Sequence, residues 1–328
     1  MSDKFSKIYE KSIKDPENFW REASNDIFWF KKPSKILNKS NPPFYKWFED
    51  GVTNTCYNAL DVHIDQGNGK RTALIYDSPI TGNKDKFTYE ELKVKVSIFA
   101  GALVNQGVNK GDRVIIYMPM IPEAVVAMLA CARIGAIHSV VFGGFASNEL
   151  ASRIDDSKAK ILITASCGFE PGRTVEYKPL VDEAVKQANH KIQKMILFQR
   201  SGHEVKLNAP EEISWDEALS DAKETDCTEM NSNEFAYILY TSGTTGTPKG
   251  IVRDIGGHIV ALKWTMKNIY NIDEGDIWWS ASDIGWIVGH SYIVYAPLFK
   301  GCTTVLFEGK PVGTPDAGAF WKIISDYK

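Results

Sequence analysis

From about Arg71 onward, short runs of β-branched residues alternate with longer amphipathic stretches. Arg113–Met118 (RVIIYM) is an apolar run of strand length, Glu123–Ile134 has helical periodicity and stops at Gly135, and Ala136–Phe142 reads as the next strand. The series continues with a helix at Asn148–Asp155, a strand at Ala159–Thr164, a helix at Leu180–Ala188 and strands at Lys194–Phe198 and Phe235–Tyr240. Such alternation predicts an α/β fold with parallel sheet, right-handed crossovers and ligands gathered beyond the carboxyl ends of the strands. Ser201–Ser232 is polar apart from one helix-like stretch after Ser214, and reads as a surface excursion. Phe320–Lys328 is apolar-periodic with no polar tail or capping glycine behind it, so the chain is expected to stop inside an element of a larger whole.

Residues 1–70 have a different texture, rich in Trp, Phe, Lys and Asn. Asp15 followed by Pro16 predicts a helix start, and Asn41-Pro42-Pro43 interrupts any regular element. This aromatic region is expected to dock on the larger body formed by residues 71–328.

Composition narrows the options. A chain of 328 residues can bury one large α/β core or two smaller units. A net charge of −3 argues against a nucleic-acid partner, because phosphate backbones select clustered Lys and Arg. The most apolar region, Val114–Ala132, is broken by Pro119, Pro122 and Glu123, so no membrane span or membrane partner is expected. Cys56, Cys131, Cys167, Cys227 and Cys302 are odd in number and contain no Cys-x-x-Cys pair, and the histidines show no metal spacing, so the expectation is no disulfide frame and no metal ligands. The first residues mix Lys with Asp and Glu and lack an apolar core, which favours the cytoplasm and leaves the mitochondrial matrix as the alternative.

Candidate chemistry lies directly after the Phe235–Tyr240 run. In Thr241-Ser242-Gly243-Thr244-Thr245-Gly246-Thr247-Pro248-Lys249-Gly250, hydroxyl side chains and glycines surround one lysine. Glycine permits close backbone approach, successive N–H groups and hydroxyls can surround phosphate oxygens, and Lys249 supplies a point charge. The Gly-x-x-x-x-Gly-Lys-Ser/Thr pattern of nucleoside triphosphatases is not met, because Lys249 stands between Pro248 and Gly250. A flexible linker has a similar composition; the preceding strand and the stiffening Pro248 favour a phosphate loop of another kind.

With Tyr240 included, this stretch resembles the signature loop of the AMP-forming adenylate ligases: acyl-CoA synthetases, peptide-synthetase adenylation domains and luciferases. The resemblance implies an incomplete large N-terminal domain of an adenylate-forming ligase, with layered parallel or mixed sheets and flanking helices. In that family the loop embraces the part of ATP that leaves as pyrophosphate, so Thr241, Ser242, Gly243, Thr244, Thr245, Gly246 and Lys249 become cofactor-binding candidates.

Trp278–Tyr292 (WWSASDIGWIVGHSY) is similar to the short-chain branch, the acetyl-CoA and propionyl-CoA synthetases. There, residues matching Trp286, Ile287 and Val288 wall the acyl pocket, with Gly289 and His290 beside it. Glu170-Pro171-Gly172-Arg173 resembles the propionyl-type form of a segment that meets the phosphate end of CoA. The acetyl type carries Arg-Gly-Gly-Arg, so Glu170 replaces one arginine and Arg173 matches the other. Gly143-Gly144-Phe145 fits the same branch, and Gly309–Pro315 (GKPVGTP) leans to the propionyl type.

The resemblance implies ATP, CoA and Mg2+ as cofactors and a short-chain carboxylate, propionate before acetate, as substrate. The adenine and ribose contacts, the hinge and the small C-terminal domain with its adenylation lysine are absent from these residues, so the chain alone is expected to be an inactive N-terminal portion. No catalytic residue is assigned. The alternatives left open are an adenylation domain of another adenylate-forming enzyme and a non-catalytic binding or regulatory product.

Overall fold

A computed structural model describes residues 2–241 and 248–327. Its central sheet has seven strands, in the spatial order Glu212–Ser214, Lys194–Phe198, Ile161–Ala165, Arg113–Tyr117, Ile137–Val140, Phe235–Thr241 and Lys249–Asp254. The first six run parallel and the last is antiparallel. From Arg113–Tyr117 the chain steps to one side for Ile137–Val140, crosses to the other for Ile161–Ala165, and returns for Phe235–Thr241. The strand order therefore reverses at Arg113–Tyr117, and a switch point of this kind leaves a crevice beyond the carboxyl ends of the strands.

A second sheet places Thr303–Phe307 between Ile277–Trp279 and Thr72–Asp77, both parallel to it, with Lys84–Thr88 antiparallel at the edge. The Tyr89–Asn105 helix packs on the Thr72–Asp77 and Lys84–Thr88 strands and on the Pro122–Arg133 helix. Thr88 starts it with a capping box, its side chain accepting from the Glu91 N–H while the Glu91 carboxylate accepts from the Thr88 N–H. In Pro122–Arg133 every residue but Glu123 is buried, as expected of a helix covered on all sides. One apolar core runs through these helices and joins the two sheets.

The same core takes in Ile27, Trp29, Ile36, Phe48 and Leu60 from the N-terminal region. Asn54 ties that region down, its amide donating to the carbonyls of Ala132, Arg133 and Thr228. The helix expected at Pro16 runs Pro16–Ala23, with the Asp15 carboxylate accepting from the Asn18 N–H.

The predicted strands and helices form within a few residues of their expected limits, and the mixed, layered α/β architecture is as the sequence implied. Three features depart from the sequence reading. Ser201–Ser232 is more than a surface excursion: Glu212–Ser214 adds a strand to the main sheet, Trp215 is buried with its ring stacked 3.8 Å from Phe99, and Met230–Asn231 pairs with Val52–Thr53. Strands this short carry no periodic signature. Cys167–Glu170 and Arg173–Glu176 form an antiparallel hairpin about Pro171-Gly172, where Gly172 has φ +76°, as a proline–glycine turn requires. The third is the antiparallel edge strand Lys249–Asp254, which directly follows the candidate phosphate loop.

Candidate active site

The crevice at the switch point is lined by Met118, Pro119 and Met120 after the Arg113–Tyr117 strand, and by Phe142, Gly143 and Gly144 after Ile137–Val140. Gly168, Phe169, Glu170 and Val175 of the hairpin, Tyr177, Asp283, and Glu308, Gly309 and Lys310 after Thr303–Phe307 complete it. It holds about 60 Å³ and adjoins a second cavity of about 210 Å³ that shares Met120, Phe142, Asp283, Gly309 and Lys310. Two of its glycines are sterically obligatory. A Cβ on Gly143 would lie 2.0 Å from the Tyr177 hydroxyl, and one on Gly168 would lie 2.7 Å from it.

Charge in the crevice is organised in two layers. In the deeper layer Arg200 and Glu308, both buried, form a two-pronged ion pair at 2.8 and 3.0 Å, and the Tyr76 hydroxyl donates to Glu308. The Arg200 guanidinium also lies 4.6 Å from the Phe169 ring centroid. One cation thus fixes the residue before Glu170 and the end of the strand that leads to Lys310. Nearer the surface, Arg173 meets Glu170 at 2.6 Å, and Lys310 Nζ stands 3.7 Å from the other oxygen of the same carboxylate. Burial pushes the Asp283 carboxyl above its ordinary range, opposed by the Gly285 N–H and the Lys310 charge.

Thr241 pairs with Lys249 across the edge hairpin, so the two described ends of the phosphate-loop candidate lie at the carboxyl end of the Phe235–Thr241 strand, the same end of the sheet as the crevice. Ser242, Gly243, Thr244, Thr245 and Gly246 lie outside the described residues; Thr241 and Lys249 are exposed. The base of the hairpin is anchored to the Ser147–Ser157 helix. Tyr240 donates to Asp156 at 2.7 Å, and the Arg153 guanidinium lies 5.3 Å from the Tyr240 ring and 4.7 Å from Phe145. Phe145 in turn meets Trp286, 6.0 Å between centroids, and Trp286 meets Phe142 of the crevice at 5.6 Å. A continuous chain of contacts thereby links loop and crevice.

The segment Trp286–His290 divides its side chains. Trp286 stands half-exposed over Phe142 and Phe145, while Ile287 and Val288 face a separate cleft of about 410 Å³ lined also by Trp47, Tyr237, Arg253 and His258. Gly289 has no room for a side chain, since a Cβ there would lie 1.9 Å from the Asp283 carbonyl. His290 turns into the core. Its Nε2 lies 3.0 Å from Nε2 of His138, which also meets the Tyr295 hydroxyl at 3.0 Å. Burial depresses these imidazoles strongly, His138 and His258 to about 3, and His290 well below its usual value with its histidine neighbours adding to the effect. The neutral His290 ring packs on Tyr237 at 4.1 Å. Of the residues expected to wall the acyl pocket, Trp286 thus joins the aromatic cluster while Ile287 and Val288 line the separate cleft, and His290, expected beside the pocket, joins the buried imidazoles.

One group among the described residues brings metal-ligating atoms together: Cys56, Asp61 and Cys227 lie within 4.8 Å of one another. Both Asp61 oxygens are taken by Arg133, at 2.8 and 3.0 Å, so the observed state of this cluster is an ion pair beside two thiols.

Comparison with known proteins follows the same lines. The profile of the AMP-binding enzymes matches residues 62–328. The chain belongs to the AMP-binding enzyme family. The profile of the acetyl-coenzyme A synthetase N-terminus matches residues 5–59. Human acyl-CoA synthetase short-chain family member 3, mitochondrial, is 53% identical over 320 residues, covering 97% of this chain and 47% of that protein. Acetyl-coenzyme A synthetase of Streptomyces coelicolor is 44% identical over 324 residues, covering 98% and 49%. The solved acetoacetyl-CoA synthetase from Streptomyces lividans superposes with a TM-score of 0.86 at 26% identity, over 96% of this chain and 47% of its own. The chain thus spans about half the length of these relatives.

Several residues of the site are not singled out by the sequence pattern: Asp283, Arg200, Glu308, Tyr177 and Arg153, and Lys310 as a cation of the crevice. Arg200 and Glu308 are 108 positions apart, beyond any local pattern. Lys310 sits within the quoted Gly309–Pro315 segment, but only its return against the hairpin reveals its partner.

Proposed function

We propose that the protein carrying this chain is a short-chain acyl-CoA synthetase. It would convert propionate, or acetate, with ATP and CoA into acyl-CoA, AMP and diphosphate through an acyl-adenylate. The observation that carries the reading is the Thr241–Lys249 pairing. It brings the two ends of the glycine- and hydroxyl-rich segment, Thr241 and Lys249, together at the carboxyl end of the sheet, which supports a phosphate-binding role for the residues between them.

In the first half-reaction a carboxylate oxygen attacks the α-phosphorus and pyrophosphate leaves. In the second, the CoA thiolate attacks the adenylate carbonyl and AMP leaves. Neither half needs a side-chain nucleophile, so the protein contributes positioning and charge stabilisation. Lys249 and the backbone N–H groups of the turn would hold the departing phosphates, while Arg173 would meet the phosphate end of CoA. Trp286, Ile287 and Val288 would bound the acyl group, where each added methylene is worth only about 0.8 kcal/mol on burial.

Magnesium accompanies ATP in this reading. Of the described crevice carboxylates, Glu170 is held by Arg173, Glu308 by Arg200, and Asp283 accepts from the Gly285 N–H. They do not form a ligand set for the ion.

The proposed compartment is the cytoplasm, with the mitochondrial matrix as the alternative, in keeping with the word mitochondrial in the human relative's name. No helix among the described residues is long and apolar enough to cross a membrane.

The test has two arms. The chain binds ATP, and Lys249→Met weakens that binding roughly tenfold or more; an unchanged affinity would refute the role given to the loop. ATP–pyrophosphate exchange dependent on propionate is expected from the chain joined to the remaining length of its relatives, and not from the 328 residues alone. Exchange by the short chain at the rate of an intact ligase would refute that division of labour.

A further inference from the structure

We propose that Cys56 and Cys227 are a reversible dithiol–disulfide pair, a modification site at which hydrogen peroxide ties the N-terminal region covalently to the body of the fold. Neither cysteine lines the switch-point crevice, so the pair is independent of the chemistry assigned there.

The fold brings the two sulfurs together from the two sides of an antiparallel ladder. Met230 pairs with Thr53 and Asn231 with Val52; continued past Thr53 and back from Met230, the same register sets Cys227 opposite Cys56. The ladder itself stops where Asn54 turns the chain into the Tyr57–Asp61 helix, its side-chain oxygen accepting from the Tyr57 N–H. The amide of the same Asn54 donates to the Thr228 carbonyl at 2.8 Å, which keeps the two segments side by side beyond the last ladder pair. On the other segment the Thr225 carbonyl accepts from Arg133 Nε at 2.5 Å, and the Thr228 N–H donates to the Arg133 carbonyl at 2.8 Å. Cys227 is thus held from both sides, with its sulfur within 4.8 Å of the Cys56 sulfur. For positions that already face each other, closing that gap to an S–S bond of about 2.05 Å is a side-chain rotation at each cysteine.

The surroundings decide which sulfur meets the oxidant. Cys56 is fully buried and its sulfur accepts from the Arg133 guanidinium at 3.5 Å, whereas Cys227 is half-buried and its S–H donates to the Asp61 carboxylate at 3.7 Å. Burial and the neighbouring Cys56 sulfur push the Cys227 thiol up, which keeps it protonated at rest and makes its oxidation slow. In the first step the Cys227 sulfur attacks one peroxide oxygen, the O–O bond breaks, and the departing hydroxide takes the thiol proton and leaves as water, so Cys227 becomes a sulfenic acid. In the second, the Cys56 sulfur attacks that of Cys227, the S–O bond breaks, and a second water leaves with the Cys56 proton. Two thiols and one peroxide thus give one disulfide and two waters, each sulfur losing one electron to the peroxide oxygens. Arg133 holds both Asp61 oxygens, at 2.8 and 3.0 Å. A divalent metal would therefore find only the two sulfurs free, with a buried guanidinium beside one of them, where a tetrahedral site needs four ligands; a neutral disulfide leaves the Arg133–Asp61 pair intact.

The experiment treats the 328-residue chain at neutral pH with hydrogen peroxide, blocks the remaining thiols with N-ethylmaleimide and maps the digest by mass spectrometry. A linked peptide joining Cys56 to Cys227 is expected as the main product, and dithiothreitol should remove it. The bond closes a loop of about 170 residues and so restricts the unfolded chain, and the oxidised form should melt roughly 5 °C higher until it is reduced. Cys56→Ala and Cys227→Ala should each abolish the link and the rise in melting temperature. In urea the same treatment should spread the links over all five cysteines. The link is read in the unaltered chain, so a variant that fails to fold does not decide the matter. Both thiols still open to N-ethylmaleimide after peroxide, Cys227 carried on to sulfinic acid with no link, other cysteine pairs in the folded chain, or a link that leaves the melting temperature unchanged would overturn the assignment. So would one equivalent of Zn2+ bound through both sulfurs.

Discussion

Acidification should destabilise this fold through its buried imidazoles, and His258 is the position at which to measure the effect. Its two ring nitrogens are buried with no hydrogen-bond partner among the described residues, and its ring packs edge-on against Tyr237, Tyr295 and Phe299. Burial, with Arg253 and His138 adding to it, lowers its pKa from 6.5 to about 3. A depressed value in the folded state means that the unfolded chain binds the proton first. The contribution to stability is complete above pH 6.5 and declines as pH falls towards 3. At pH 5 the loss is 1.5 pH units, about 2 kcal/mol for this one residue. His138, also lowered to about 3, and His290, lowered further, act in the same direction. His258 and His138 together cost about 4 kcal/mol at pH 5, a sizeable part of the 5–15 kcal/mol that ordinarily holds a domain folded, and His290 adds to that loss.

His258→Phe keeps the ring and removes two unpaired polar atoms, so it should be neutral or stabilising at pH 7. At pH 5 it should melt higher than the parent by the equivalent of about 2 kcal/mol. Thermal unfolding followed by near-ultraviolet circular dichroism between pH 8 and 4.5 reads both values. The comparison with the parent cancels the contribution of the buried carboxyls Asp254, Glu123 and Asp283, whose raised values oppose the imidazoles. If His258→Phe loses stability with acid as steeply as the parent, the imidazole is not held neutral and the reasoning fails.

Gly289→Ala forces a methyl to within 1.9 Å of the Asp283 carbonyl, so a loss of about 3 kcal/mol or an insoluble product is expected; a melting temperature equal to the parent's would show that the segment can move aside. Arg200→Met leaves Glu308 buried without its cation and should cost about 3–5 kcal/mol, whereas Arg200→Met with Glu308→Leu should cost less, because no lone charge remains; urea unfolding of both variants decides. Asp15→Ala should cost about 1 kcal/mol through the loss of the cap on the Asn18 N–H, and an amide-exchange rate at Asn18 unchanged from the parent would contradict the bond.

Local pattern determined much of this protein. The runs at Arg113–Met118 and Lys194–Phe198 had to be buried strands, and Glu123–Ile134 a buried helix, because an element's burial repeats with its own backbone period. Asp15-Pro16 marked a helix start for reasons contained in a few consecutive residues, and the Thr241–Gly250 composition raises the expectation of an anion-binding loop on equally local grounds. Assembly decided what those residues face. Lys310 beside Glu170, Arg200 on Glu308, and His290 turned onto His138 rather than towards Ile287 and Val288 join residues 108 to 152 positions apart. Such pairings follow from which strand lies next to which and from where each crossover returns the chain. Periodicity records only that a face is covered, and the identity of what covers it exists only once the sheets have closed on their shared core.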